Sequence, residues 1–128
     1  RILSLLRKHI MKPVILYIIG PVDVRTKHVL ERLITNYGLK EVVKVLGYVK
    51  DLDNFICENA NILLAPMFTM SGVSTKMLYY LRFREKTIIA SREAVEGIEH
   101  LVATHGKVVI AENPKDFAKK LLEVVNNA

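Results

Sequence analysis

Apolar residues recur along this chain with helical spacing in some stretches and as continuous runs in others. Residues 2–10 carry Ile and Leu at helical spacing, and Pro13 must end that helix because proline cannot continue it. Residues 14–19 form a continuous apolar run rich in β-branched side chains, which is typical of a strand buried on both faces. The run stops at Gly20 and Pro21, a pair that favours a turn. The chain therefore opens with a helix followed by a buried strand.

The same alternation continues to the end of the chain. A helix is predicted from Asp23, with Gly38 just beyond its end, where a left-handed residue is favoured. The later predicted elements are a strand at 42–49, a short helix capped by Asp51 or Asp53, a strand at 61–65, a helix at 74–84, a strand at 87–90, an irregular stretch at 93–105, a strand at 108–111 and a last helix after the cap Asn113. That last helix is expected to turn four apolar side chains inward, namely Phe117, Leu121, Leu122 and Val125.

Strands that alternate with helices and are continuously apolar predict a parallel sheet covered by helices on both faces. No repeat, linker or charge block divides the chain. We therefore predict that residues 1–128 form a single Rossmann-like α/β domain, in three layers around a mainly parallel sheet. Because the chain begins with Arg1 directly on a helical pattern, we expect it to be a fragment of a longer protein.

Composition and charge limit the classes of function that the chain can have. The 128 residues are 51% hydrophobic and 25% charged, which excludes a disordered chain. No apolar run approaches the roughly 20 residues that a membrane-spanning helix needs. The lone Cys57 cannot form an internal disulfide, so we expect a cytoplasmic location and a buried, apolar role for this side chain. A net charge of +6 predicts an anionic partner such as a phosphorylated ligand, a nucleic acid or an acidic lipid surface.

The loop at residues 66–75 is the best candidate for holding an anion, because ligands of such sheets bind beyond the carboxyl ends of the strands. Gly72 allows close approach of the backbone, and Lys76 adds positive charge at the start of the next helix. Hydroxyls come from Ser71, Ser74 and Thr75. A diphosphate is expected to fit there. The alternative is that Ser74 only caps the helix and Gly72 only permits a turn.

Other motifs give weaker signals or none. The dinucleotide fingerprint GxGxxG does not follow the first strand, and no nucleophile elbow, Walker loop or HExxH motif occurs. The four histidines lie on different elements and are expected at the surface, so no metal site is predicted. Three carboxylates cluster after the fourth strand, at Glu93, Glu96 and Glu99, and either bind sugar hydroxyls or belong to a solvated loop.

The order of these segments resembles that of a known family. Residues 47–98 follow the pattern of a GxV strand end, a short helix, a strand ending in proline, a glycine-containing loop, TKxLEAMAxGKPVIAT and xEGI. This pattern is similar to the C-terminal, nucleotide-sugar-binding half of family 4 glycosyltransferases with the GT-B fold. The resemblance implies a retaining transferase whose substrate is a nucleoside diphosphate sugar, with no separate cofactor. It also implies an acceptor-binding N-terminal domain in the same two-domain chain.

The resemblance assigns donor-binding positions but no catalytic residue. Gly20 and Pro21 match the glycine loop near the diphosphate, and Tyr48 and Val49 match the strand end before the loop that contacts the base. The match to the loop and helix start that bind the phosphates and sugar covers Ser71, Gly72, Val73, Ser74, Thr75 and Lys76, and Glu96 matches the EGI stretch. The family's two glutamates, eight positions apart, are replaced here by Ser71 and Tyr79, the second at the position that binds the ribose.

Two functions follow from this comparison. The first is the donor-binding domain of a hexosyl-transferring enzyme, inactive when isolated, with peripheral contact to the inner face of the membrane left open. The alternative is a non-catalytic Rossmann-like protein-interaction module whose nucleotide site has decayed, which the loss of both glutamates favours. A nucleic-acid-binding domain is not expected, because the basic residues are spread and no aromatic-basic RNP string is present.

Overall fold

A computed structural model describes residues 14–20, 23–68 and 75–127 of the chain. Strands and helices alternate within these ranges as the sequence predicts. The strands are β1 (Leu16–Ile19), β2 (Val43–Gly47), β3 (Ile62–Ala65), β4 (Thr87–Ser91) and β5 (Val108–Ala111). The helices are α1 (Val24–Asn36), α2 (Leu52–Asn59), α3 (Thr75–Tyr80), α4 (Arg92–Val95), α5 (Glu99–His105) and α6 (Pro114–Asn127). The helix predicted at residues 2–10 lies outside the described residues.

Side chains of polar residues fix where three helices begin. The Asp23 carboxylate accepts a hydrogen bond from the Thr26 N–H at 2.7 Å. Asp51, rather than Asp53, caps α2, because it accepts from the Asn54 N–H at 3.2 Å. The Asn113 side chain accepts from the Asp116 N–H at 2.8 Å and caps α6. Each of these contacts satisfies an amide that lacks a partner within its helix.

Two predicted boundaries are wrong. The stretch at 93–105, predicted to be irregular, contains α4 and α5, whose length of only four and seven residues gives little periodicity to detect. Helix α3 ends at Tyr80 rather than at residue 84. The helix gives way to a tighter turn, in which the Phe83 N–H donates to the Tyr80 carbonyl three residues earlier at 3.0 Å. This turn buries the Phe83 ring.

Every strand pair is parallel, as predicted, but the strands form two sheets instead of one. β1 pairs with β2, and β4 lies between β3 and β5. In the second sheet Ile62 faces Thr87, and Ile88 faces Val108. In the described part of the chain no backbone hydrogen bonds pair β1 with β3.

Apolar side chains on both faces of the three-stranded sheet form two cores, which confirms the three-layer prediction. On one face Ile88 packs in a cluster with Met77 of α3 and Val95 of α4. On the other face Ile89 packs with Phe117 and Leu121 of α6. Successive residues of β4 thus serve opposite cores, as the pleat of a strand requires. The four α6 residues predicted to face inward do so, with Leu122 only half-buried.

Two side chains depart from their predicted environment. His105 is buried rather than at the surface. Its Nδ1 accepts from the Lys107 N–H at 3.1 Å, so the ring proton is on Nε2, which donates to the Phe83 carbonyl at 2.9 Å. Cys57, predicted to be buried, is exposed, because the inward face of α2 at this turn is occupied by Ile56.

Candidate functional site at the carboxyl ends of the strands

Two glycines hold the carboxyl ends of β1 and β2 together. The Gly20 N–H donates to the Gly47 carbonyl at 2.7 Å. Their φ angles are 136° and 69°, values that a residue with a side chain rarely adopts. Tyr48 follows directly and is 75% exposed, while Val49 is half-buried. The structure therefore brings three of the predicted donor-binding positions to one edge, with a tyrosine side chain open to solvent.

A buried serine joins the ends of β3 and β4. The Ser91 hydroxyl accepts from the Met67 N–H at 2.9 Å and donates to the Ala65 carbonyl at 3.3 Å. Ser91 is fully buried, so these bonds are shielded from water. They fix the segment that leaves β3 toward the candidate anion-binding loop.

Thr75 and Lys76 are the first two residues of α3, at the end of the candidate anion-binding loop. Lys76 is an exposed residue, yet its Nζ folds back over the Tyr80 ring, 5.6 Å from the ring centroid. Burial in this position lowers the pKa of the Lys76 ammonium. Among the described residues no carboxylate forms an ion pair with it. Within the described part of the chain, the Lys76 ammonium therefore has an aromatic face as its electrostatic partner.

Tyr79 belongs to a polar cluster between α3 and α2. Its hydroxyl donates to the Asp53 carboxylate, and Arg82 Nη2 lies 3.5 Å from the second oxygen of that carboxylate. The Arg82 guanidinium also lies 5.5 Å from the Tyr79 ring centroid. Loss of solvent around the phenol, together with its bond to Asp53, raises the pKa of Tyr79 to about 12. Tyr79 is therefore a neutral donor whose hydroxyl already has a partner.

An ion pair joins the first residue of α4 to the segment that follows β5. Arg92 Nε donates to Glu112 Oε1 at 3.1 Å, and a second bond links Nη2 to Oε2. This bidentate contact raises the pKa of Arg92 and lowers the pKa of Glu112.

The three clustered glutamates have different environments. Glu99 accepts from the Gly97 N–H at 3.0 Å, so its carboxylate is used to shape the turn before α5. Glu96, the predicted donor-binding residue, is exposed at the end of α4. Glu93 has a buried Oε1 with no hydrogen-bond partner among the described residues. The cluster is therefore neither a uniform ligand site nor a uniformly solvated loop.

The remaining predicted positions are Pro21, Ser71, Gly72, Val73 and Ser74, and they lie outside the described residues. Sequence analysis missed four polar residues that shape this edge, namely Asp53, Ser91, Arg92 and Glu112. The contact of Ser91 could have been predicted. A hydroxyl at the end of an apolar strand has few possible hydrogen-bond partners other than the backbone at the ends of neighbouring strands. The contacts of Asp53 and Glu112 gave no signal, because each depends on a distant segment.

Over residues 14–20, 23–68 and 75–127, no group of three His, Cys, Asp or Glu side chains is arranged to hold a metal ion. Within the same ranges, no helix combines the length and apolar character required to cross a bilayer.

Comparison with known proteins gives one match. A family model described as "Glycosyl transferases group 1" matches residues 1–127. No curated protein and no solved structure matches the chain. The finer assignment to family 4 stays a prediction.

Proposed function

We propose that this chain, which belongs to the group 1 glycosyl transferases, binds the nucleoside diphosphate sugar whose glycosyl group is passed to an acceptor. The match over residues 1–127 establishes a transferase domain. The identity of the donor class is our proposal, and the observation that carries it is the environment of Lys76. A lysine that has no carboxylate partner among the described residues, and that follows the strand end where such sheets bind ligands, is suited to a diphosphate.

The electrostatic role of Lys76 follows from the position of its ammonium over the Tyr80 ring. Withdrawal from water lowers the pKa of its ammonium, and the Tyr80 ring compensates only in part. A bound diphosphate would supply the missing negative charge and would stabilise the departing nucleotide as the glycosidic bond breaks. Thr75 offers a hydroxyl at the same end of α3, and the sequence adds Ser71, Gly72, Val73 and Ser74 from the preceding loop.

The base is proposed to bind at the edge formed by β1 and β2. Tyr48 presents an exposed phenol ring there, beside the Gly20–Gly47 backbone bond. An aromatic face of this kind stacks on nucleobases. Transfer with retention, to an acceptor bound by a preceding domain of the same polypeptide, completes the proposal. Residues 1–128 alone are then expected to bind donor without transferring sugar, since alignment of the acceptor requires the other half of the cleft.

Calorimetric titration of the protein with UDP, GDP and their sugars tests this function. We expect binding of at least one nucleotide at millimolar concentration or below. In Lys76→Met we expect that affinity to fall by about tenfold, because a charge-assisted contact to a phosphate is lost. Lys40→Met is the matched control, since Lys40 is exposed and lies before β2, at the opposite end of the strands. If none of these nucleotides binds, or if both variants lose the same amount of nucleotide affinity, the proposal is contradicted.

A second candidate function has its own supporting observation. The Tyr79 hydroxyl, at the position where similar proteins carry a ribose-binding glutamate, is bonded to Asp53. This contact favours a non-catalytic interaction module whose nucleotide site is lost. Tyr79→Glu discriminates between the two functions, because a nucleotide-binding domain should gain affinity when a carboxylate returns to this position. An unchanged affinity in that variant, with no binding by the parent chain, supports the interaction module.

A further inference from the structure

An accessible carboxylate lies at the carboxyl ends of the strands, beside the proposed nucleotide site. Asp53 belongs to the first turn of α2, shortly after Tyr48, and 54% of its side chain is exposed. Two other acidic residues of this edge are less available to a ligand. Glu93 has a buried Oε1, and Glu112 binds Arg92 with both of its oxygens. Of these three carboxylates, Asp53 is the one that a ligand can reach.

In the described part of the chain, the partners of Asp53 use only some of its hydrogen-bonding capacity. The Tyr79 hydroxyl donates to Oδ1, and Arg82 Nη2 lies 3.5 Å from Oδ2. An ionised carboxylate accepts at about four lone-pair positions. The Arg82 contact is exposed to solvent and therefore weak. Both oxygens of Asp53 thus have lone pairs left for donors from a ligand.

A row of side chains on α3 connects Asp53 to Lys76. The Tyr79 ring, whose hydroxyl binds Asp53, lies 6.4 Å from the Tyr80 ring between centroids. The Lys76 ammonium in turn lies 5.6 Å from the centroid of the Tyr80 ring. Side chains on a helix lean toward its N-terminus, so the Tyr79 hydroxyl points back toward the strand ends where α3 begins. The carboxylate and the ammonium therefore belong to one continuous set of contacts at the candidate site.

The order of the chemical groups in a nucleotide matches this arrangement. The ribose of a nucleoside diphosphate joins the base to the diphosphate, so it must lie between the base position proposed at Tyr48 and the diphosphate position proposed at Lys76. Asp53 follows Tyr48 along the chain and is joined through Tyr79 to the helix that carries Lys76. Its carboxylate is an acceptor-only group, and the two adjacent ribose hydroxyls are donors. An acidic side chain bonds the ribose in the same chemical way in dinucleotide-binding folds.

We propose that Asp53 accepts hydrogen bonds from the ribose hydroxyls of the bound nucleotide and makes this domain selective for ribonucleotides over 2′-deoxyribonucleotides. The inference rests on the nucleoside diphosphate sugar proposed above and adds to it a residue that determines specificity. Tyr79 is then a positioning residue, because its hydroxyl holds the Asp53 carboxylate in place. The bond between Tyr79 and Asp53 thereby contributes to binding, in contrast to the interaction module considered above.

Calorimetric titration of the whole chain with paired nucleotides tests this role. The probes are UDP with 2′-deoxy-UDP, and GDP with 2′-deoxy-GDP. For the base that binds, we expect the parent chain to prefer the ribonucleotide by about tenfold or more, because the deoxy form loses a charge-assisted hydrogen bond. In Asp53→Asn a neutral amide replaces the carboxylate, and we expect the preference to fall below about threefold.

Two further variants separate recognition of the ribose from the structural role of Asp53. Tyr79→Phe breaks the same bond between α2 and α3 but keeps the Asp53 carboxylate. We therefore expect it to retain the preference for the ribonucleotide, even where both nucleotides bind more weakly. Glu58→Gln is the control for net charge, since Glu58 is exposed in the last turn of α2, at the other end of that helix. Its preference should equal that of the parent chain.

The outcomes distinguish this inference from the donor on which it rests. If the parent chain binds a nucleotide without preferring the ribose form, or if Asp53→Asn keeps the preference, the role of Asp53 is overturned and the proposed donor is unaffected. An equal loss of preference in Asp53→Asn and Tyr79→Phe would assign the effect to the contact between the helices, which also contradicts the inference. If neither UDP nor GDP binds, the proposed donor fails, and the role of Asp53 fails with it.

Discussion

The Tyr79 hydroxyl donates a hydrogen bond to the Asp53 carboxylate and so links α3 to the first turn of α2. Arg82 pairs with the same carboxylate at 3.5 Å, and the Phe83 ring meets the Tyr79 ring edge-on at a centroid distance of 5.3 Å. Four side chains from two helices and the following turn thus depend on one another. The position of α3, and with it the position of Lys76, is set partly by this cluster.

The pH dependence of stability should reveal the Tyr79 contact. The pKa of Tyr79 is raised from 10.0 to about 12, so the folded state holds the phenol proton more tightly than the unfolded state does. Its stabilisation is fully present below pH 10 and is lost as pH rises through about 12. We expect Tyr79→Phe to lower Tm at pH 8 and to flatten the fall of Tm between pH 10 and 12.

Tyr48→Phe is the control for that experiment, because Tyr48 is exposed and its hydroxyl forms no hydrogen bond with another of the described residues. Its Tm profile should overlay that of the parent chain. Identical profiles for Tyr79→Phe and the parent would contradict the assigned bond. Burial also raises the pKa of Tyr80 to about 12. Its contribution to the pH dependence of Tm is the same in the parent chain and in both variants.

Lys76→Met should affect stability in the direction opposite to its effect on nucleotide binding. Burial lowers the pKa of the Lys76 ammonium below 10.5, so the folded state holds this proton less tightly than the unfolded state. Stability therefore increases as pH rises through the folded pKa toward 10.5. At pH 7 we expect the variant to have a Tm equal to or above that of the parent, with the difference shrinking at alkaline pH. A lower Tm for the variant at pH 7 would show that the charge stabilises the empty fold.

Ser91→Ala should loosen the end of β3. The change removes one of the two acceptors of the Met67 N–H, which also donates to the Ala65 carbonyl at 3.0 Å, and it deletes the Ser91 hydroxyl as a donor to that carbonyl in a fully buried position. We expect a loss of about 1 kcal/mol or more in the free energy of unfolding, measured by urea titration. Thr104→Ala removes an exposed hydroxyl that bonds only within α5, and should change stability by less than about 0.5 kcal/mol. Similar losses in both variants would argue against a special role for Ser91.

His105 is predicted to contribute to stability rather than to chemistry. Both ring nitrogens have backbone partners, at 2.9 Å to Phe83 and 3.1 Å to Lys107. His105→Phe keeps a ring of similar shape but removes the acceptor of the Lys107 N–H and one of the two donors to the Phe83 carbonyl, which also accepts from the Lys86 N–H at 3.2 Å. We expect a loss of about 1 kcal/mol or more in the free energy of unfolding. His100→Phe, an exposed change on the same helix, is the control. Nucleotide affinity should not change in either folded variant.

The alternation of apolar patterns predicted the strands and the long helices, because those elements carry strong local signals. Asp23 and Asn113 were identifiable as caps, since each precedes an amphipathic run and bonds an amide three residues later. The helices α4 and α5 escaped prediction, because so few residues carry little periodicity. The separation of β1 from β3 has no local signal, since both strands are continuously apolar and would suit the interior of one sheet.

The candidate site was predictable only in part, for a similar reason. The strand ends that carry Gly20 and Tyr48 follow from the order of the elements. The bond between Tyr79 and Asp53 joins residues 26 positions apart, and only the packing of α3 on α2 brings them together. Sequence analysis could therefore identify Tyr79 as a departure from the family pattern, but could not identify its partner.

The bond between Gly20 and Gly47 is made by main-chain atoms alone, so it persists whatever side chains surround it. The side chain at position 48 is exposed, and the backbone bond beside it does not depend on which side chain stands there. Evolution or an engineer can exchange the aromatic group at this position without redesigning the support beneath it. Libraries that vary residue 48 while retaining both glycines should consequently yield a high proportion of folded members.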